Sequence, residues 1–210
     1  MNSKWIVVLT SLAVLLLTGC ASMSGDECAT SDWQAIGFED GSRGYSADRL
    51  GNHRKACAKH GVTPDFQAYQ TGHDQGLDRF CQPSRGFSLG SNGGSYNGVC
   101  AAHREGDFVD AYNSGYHLYN LQSRVRSANS QIGYKENELE NNHELMKDKE
   151  VALIAPDTAV EVRIRLIADL KDLAEDNGQL EAEIDQLIHD RASHQHELES
   201  YEAILADTGY

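Results

Sequence analysis

From Leu118 to Leu205 the apolar residues recur in steps of three and four, and one proline, Pro156, divides the run. The first half places Leu118, Leu121, Val125, Ala128, Ile132, Leu139, Met146 and Leu153 on this spacing, with Lys135, Asn142 and Lys149 interrupting it. The second half is more regular: Leu166, Leu170, Leu173, Asn177, Leu180, Ile184, Leu187, Arg191, His194, Leu198, Tyr201 and Leu205. Such spacing keeps one stripe of a helix turned toward a partner helix, which specifies a coiled coil. A seam asparagine such as Asn177 costs stability and fixes register or partner number. As straight helices the two halves would each be on the order of 70–75 Å long. Equal lengths around one proline favour an antiparallel hairpin turning near residues 154–157. A single interrupted rod that dimerises through the same seam is the alternative.

Charge divides the chain in the same place. Residues 135–210 hold 20 Asp and Glu against 7 Lys and Arg, whereas residues 1–134 are almost balanced with 12 against 11. An acidic arm repels phosphate backbones, so nucleic acid is not an expected partner. Charge of this kind on a coiled coil is ordinarily its solvated face.

Residues 1–20 read MNSKWIVVLTSLAVLLLTGC. Lys4 supplies a positive start, and the apolar run from Trp5 to Leu17 is shorter than the roughly 20 residues a membrane-spanning helix needs. Its end, Leu17-Thr18-Gly19-Cys20, resembles the lipobox of bacterial lipoprotein signal peptides. The resemblance implies a signal peptide over 1–19, cleavage before Cys20, a diacylglycerol on its sulfur and acylation of the new amino group. Several acyl chains give stable membrane anchoring where one is marginal. Ala21 follows the cysteine rather than aspartate, and by the rule of such lipoproteins this favours the outer membrane, facing the periplasm. Residues 20–27 then read as a lipidated polar tether.

With Cys20 assigned to lipid, Cys28, Cys57, Cys81 and Cys100 remain in an oxidising compartment, an even set with three possible connectivities. Local signals rank them. Ser31-Asp32-Trp33-Gln34 reads as a capping box opening a short helix. Ser46 can cap a second helix running through Ala58, ended by Gly61. Run antiparallel, these two helices bring Cys28 beside Cys57, which leaves Cys81 with Cys100. Thr63-Pro64-Asp65 marks another helix start, Thr63 as cap and Pro64 in the first turn, and Gln82-Pro83-Ser84 breaks that helix near Cys81. A loose repeat of glycines four apart runs through the region: Gly37/Gly41, Gly72/Gly76 and Gly90/Gly94, with Tyr112/Gly115 as a fading fourth copy. Glycines four apart share a helix face and permit close backbone approach.

The blocks Trp33-x3-Gly37-x2-Asp40-Gly41-x2-Gly44, Ala56-Cys57-x2-His60-Gly61-Val62-x-Pro64-Asp65, Tyr69-x2-Gly72-x3-Gly76-Leu77-x3-Cys81 and Tyr96-x-Gly98-Val99-Cys100 carry a resemblance. Over roughly residues 28–125 the chain resembles an uncharacterised family of proteobacterial outer-membrane lipoproteins, a domain of unknown function. The resemblance implies the same location and cysteine pairing, and no activity. It departs where His73 follows Gly72 and Ser91 follows Gly90, positions at which the family pattern leads us to expect arginine.

Catalytic and metal signatures fail. His194 and His196 lie two apart, on different sides of a helix, with His189 nearby; His53 and His60 flank a cysteine expected to be oxidised, which removes a thiolate ligand. No Gly-x-Ser-x-Gly elbow, phosphate-binding loop or dinucleotide fingerprint occurs. Asp40 and Asp74, each between repeat glycines, are the best candidates for functional carboxylates. The expectation is an all-α chain: signal peptide 1–19, tether 20–27, a disulfide-stapled helical domain over 28–106 and a coiled-coil arm over 107–206. We expect a non-catalytic envelope lipoprotein without cofactor or metal, whose arm binds a protein partner or itself. The alternative is a small-ligand or wall-fragment module in the glycine-repeat domain using Trp33, Asp40, Tyr69, Asp74 and Tyr96, and a third reading, ranked below it, is an envelope enzyme using Asp40 or Asp74.

Overall fold

The computed structural model describes residues 23–208, so the signal peptide expected over 1–19 and the lipid anchor expected at Cys20 lie outside the described residues. Among these the secondary structure is helical, with no strand. The helices are α1 (Gly25–Thr30), α2 (Trp33–Ser42), α3 (Leu50–Ala58), α4 (Phe66–Phe80), α5 (Pro83–Ser91), α6 (Ala102–Ile154) and α7 (Val160–Thr208), with a 3-10 turn at Ala47–Arg49. They form two compact units. One runs through Gln82 and takes in Tyr96–Glu105; the other joins Pro83–Ser95 to everything from Gly106 onward. α5 falls in the second unit, where it packs against α6.

In the first unit the caps differ from those expected. The tether is already helical from Gly25: Ser24 and Glu27 form a reciprocal capping box, Ser24 Oγ accepting the Glu27 N–H and the Glu27 carboxylate accepting the Ser24 N–H at 2.7 Å. That hydrogen bond from Ser24 N–H holds the Glu27 carboxyl below its ordinary pKa. Ser31 ends α1, and α2 is capped by Asp32, whose carboxylate accepts the N–H groups of Gln34 and Ala35. Asp65, not Thr63, caps α4 through Gln67 and Ala68. In both cases a short carboxylate adjoining the helix reaches two orphan donors at once.

The expected partner of α2 was α3, but α2 packs along α4. A Cβ at Gly37 would overlap the carbonyl of Tyr69, at Gly41 that of His73, at Gly72 that of Gln34 and at Gly76 that of Phe38. Four helical glycines cost about 1 kcal/mol each in propensity, which close backbone packing must offset. Trp33, Leu50, Cys28, Cys57 and Tyr69 form the core, with Met23, Ile36, Val62 and Ala68 against it. The structure joins Cys28 to Cys57 and Cys81 to Cys100, with Cα atoms 5.5 and 5.6 Å apart. Their sequence separations of 29 and 19 residues correspond to about 3–4 kcal/mol each on the chain-entropy account.

The second unit repeats this pairing. Gly86 meets the carbonyl of Phe108, Gly90 that of Tyr112 and Gly115 that of Phe87, as Gly37, Gly41 and Gly76 meet those of Tyr69, His73 and Phe38. Gly44 (φ +75°) sits on the ring of Phe80, and its counterpart Gly93 (φ +71°) on that of Tyr119. His73 Nε2 lies 2.8 Å from the Tyr45 carbonyl, while Tyr112 donates its hydroxyl to the Gly94 carbonyl at 3.0 Å. The repeated element is thus a pair of glycine-packed helices, each preceded by a disulfide that ties its two entry points. This corrects the expected register: the third glycine couple is Gly86/Gly90, Gly94 lies in the turn, and the fourth is Ala111 with Gly115.

Beyond the repeat, α6 and α7 form the antiparallel hairpin. Leu121, Ala128, Ile132, Leu180, Ile184, Leu198 and Leu205 bury its seam. The polar interruptions find partners across it: Asn142 with Asn177 at 2.9 Å, Lys149 with Asp169, Lys135 with Glu183, and Arg124 with Glu197. Tyr201 donates to the Ser114 carbonyl and meets His117 edge-on. Those crossings fix the register of the hairpin, so the interrupted-rod alternative is not the arrangement adopted. No described helix is long and apolar enough to cross a membrane.

Candidate functional site

Two places depart from what packing alone requires. The first is Asp40, one turn before the end of α2 and 6% exposed. Its Oδ2 accepts the Tyr69 hydroxyl of α4 at 2.9 Å and lies 3.0 Å from His53 Nε2 of α3. Arg49 Nε, at the 3-10 turn, sits 2.9 Å from Oδ1, but its N–H does not point at that oxygen. The contact is therefore an ion pair without a hydrogen bond. The Arg49 guanidinium lies 4.0 Å above the Tyr45 ring. Burial first, then the hydrogen bond to Asp40 and its charge, push the Tyr69 hydroxyl well above the ordinary tyrosine range.

The carboxylate thus takes two hydrogen-bond partners on Oδ2 and a cation beside Oδ1, all from its own chain. A general base needs an accessible lone pair within reach of substrate, and at 6% exposure Asp40 is largely withdrawn from solvent. Its contacts tie α2 to the 3-10 turn, α3 and α4. The helix pair of the second unit does without it: Leu89 stands at the Asp40 position, Phe108 at Tyr69 and Tyr112 at His73. Arg49 and His53 come from the longer connection between the helices of the first pair. An open cavity of about 600 Å³ adjoins Arg49, lined by Tyr45, Ser46, Asp48, Asn52 and Asn97.

The residues expected to hold a ligand do not share a surface. Trp33 and Tyr69 are core residues, and Asp40 is buried beside them. Tyr96 accepts the Cys100 N–H and donates to Glu105, bracing the second disulfide. The Asp74 side chain is 66% exposed, with His73 Nδ1 3.9 Å from its Oδ1. Among the described residues no group of His, Cys, Asp or Glu could hold a metal ion; His194 contacts Arg124 instead. Sequence reasoning missed Arg49 and the pairing of His53 with Asp40. An arginine and a histidine four apart, ahead of an oxidised cysteine, give no sign of a carboxylate on another helix.

The second place is the turn of the arm. Arg163 clamps it, donating from Nε to the Thr158 carbonyl at 3.0 Å and from its terminal nitrogen to that of Ala155 at 2.8 Å, while Thr158 Oγ donates to Ala152. Around this locked turn Val151, Ile154, Val160, Val162, Ile164 and Ile167 are 43–77% exposed. Six large aliphatic side chains in 17 residues are thus left in water, and three of them, Val160, Ile164 and Ile167, share one face of α7, an exposed apolar surface of the kind that marks an interaction site. Asp157, Glu161, Arg163 and Arg165 make residues 151–168 neutral overall, in contrast with the acidic arm around them. The seam is one stripe of α7 only, and Val160, Ile164 and Ile167 form a second, at i, i+4 and i+7, that the heptad spacing does not reveal.

No curated protein and no solved structure matches the chain. A family described as "Protein of unknown function (DUF2799)" matches residues 32–117, from the cap of α2 to the last glycine contact on α6. The chain therefore carries a DUF2799 domain, which corresponds to the two glycine-packed helix pairs, and extends it with an arm that lies outside the matched span.

Proposed function

We propose that this is a non-catalytic lipoprotein of the bacterial envelope, held by lipid on Cys20 in the outer membrane, that acts through protein contact at the tip of its coiled-coil arm. The observation that carries the reading is the exposed aliphatic patch on the clamped turn. A hairpin needs no such side chains to turn, and an extended arm needs none to act as a spacer. The lipobox-like Leu17-Thr18-Gly19-Cys20 and the two disulfides support an oxidising, membrane-attached setting. The burial of Asp40 among partners of its own chain and the isolation of Asp74 support a role without catalysis. A small-ligand role would have to use the Arg49 cavity, since the aromatic residues first expected to serve it are buried or engaged.

A photo-crosslinking residue placed at Ile164 of the full chain in living cells should yield a discrete covalent protein adduct. The same residue at Asp190, on the acidic flank of α7, should not. Equal capture from both positions, or none from Ile164, contradicts the reading.

A further inference from the structure

Resting on that reading, we infer that the occupant of the tip is a second copy of this chain, docked tip to tip about a two-fold axis. The stripe Val160–Ile164–Ile167 lies roughly a quarter-turn round α7 from the seam that faces α6, so it can receive another helix while the hairpin stays closed. Electrostatics choose the partner. Residues 169–210 carry 12 acidic against 2 basic side chains, so arms lying side by side would set like charge against like. The neutral tip escapes that repulsion.

Glu161 and Arg165 are one turn apart on the flank of α7 beyond the stripe, on the side away from the seam, from which their long side chains can reach round toward a helix docked on the stripe. A two-fold contact is self-complementary, residue i meeting j and j meeting i. Antiparallel pairing centred at the level of Arg163 brings Glu161 of each copy opposite Arg165 of the other. One surface thereby supplies both members of two ion pairs around an apolar centre. A lipid surface fits less well: the patch has no aromatic or lysine anchor, and the acidic arm behind it is repelled by anionic headgroups.

The test uses two differently tagged full chains co-expressed in cells, each carrying Ile164→Cys near the axis. Mild oxidation should give a disulfide-linked species with both tags, absent when the cysteine replaces Ile188 instead. Glu161→Arg in both copies, or Arg165→Glu in both, creates two like-charge contacts and should lower the yield on the order of tenfold. Co-expressing the Glu161→Arg chain with the Arg165→Glu chain restores both pairs and should restore the yield. A doubly tagged species indifferent to these charges, or formed equally from Ile188→Cys, overturns the inference. If none forms while a photo-crosslinker at Ile164 still captures one defined protein of another kind, the second copy is the wrong occupant and the interaction arm stands. If neither experiment gives a product, both fall.

Discussion

Leucine at position 72 is expected to separate α2 from α4 and unfold the first helix pair. The Cβ alone would overlap the backbone carbonyl of Gln34. Backbone cannot yield as the end of a flexible side chain can, so the helices must move apart along the face that Gly37, Gly41 and Gly76 share. Overpacking a tight site ordinarily costs about 1–3 kcal/mol, and here the lost contact extends over two turns of both helices. We expect a loss of at least about 3 kcal/mol, read from urea unfolding of the oxidised protein by Trp33 fluorescence, since Trp33 sits in the affected core. Gly133→Ala is the matched control. Nothing lies within 4 Å of the added Cβ there, so the change should stabilise α6 by about 0.5–1 kcal/mol through helix propensity alone. Equal small effects from both substitutions would mean that the glycines do not set the approach of the helices.

The second large effect concerns Asp40. Asp40→Leu leaves the Tyr69 hydroxyl and His53 without their acceptor and Arg49 without its counter-ion. Breaking a buried ion pair from one side costs about 3–5 kcal/mol. Arg49 keeps 40% of its side chain in water, which lowers the expectation to about 2–3 kcal/mol. The second helix pair indicates the remedy, because Leu89 and Phe108 fill the same two positions there. Asp40→Leu combined with Tyr69→Phe removes the orphaned hydroxyl and should recover about 1 kcal/mol or more relative to Asp40→Leu alone. A double variant no better than the single one would show that the two pairs are not built on equivalent packing.

How much could be read in advance depended on the range of the interaction. The heptad stripe made the arm and its turn legible, because a coiled coil repeats one local rule for a hundred residues. The cysteine pairs match those expected, although the α2–α3 pairing used to rank them is not the one adopted, since α2 packs along α4. The register of the glycines differs from that expected. Gly86, Gly90, Gly93 and Gly94 are all close together in sequence, and only the opposing carbonyls of Phe108 and Tyr112 show which of them touch a second helix. Ser24-x-x-Glu27 was hidden in a stretch that composition marks as linker, although it is itself a capping pattern. The Asp40 network joins residues 9 to 29 positions apart across four elements, and no periodicity encodes it. The tip is legible in principle, since Val160, Ile164 and Ile167 keep helical spacing, but that spacing does not tell an exposed stripe from a buried one.

The claim that the tip is covered by protein in the cell is tested most directly by its accessibility. The full chain bearing Ile164→Cys is treated with a membrane-impermeant maleimide after the outer membrane is made permeable, and again as purified, highly diluted protein. Tyr134→Cys, on the exposed flank of the arm, serves as reference. The account predicts that position 164 is protected in cells and reacts freely on dilution, while position 134 reacts alike in both. Equal reactivity of position 164 in the two settings would contradict it.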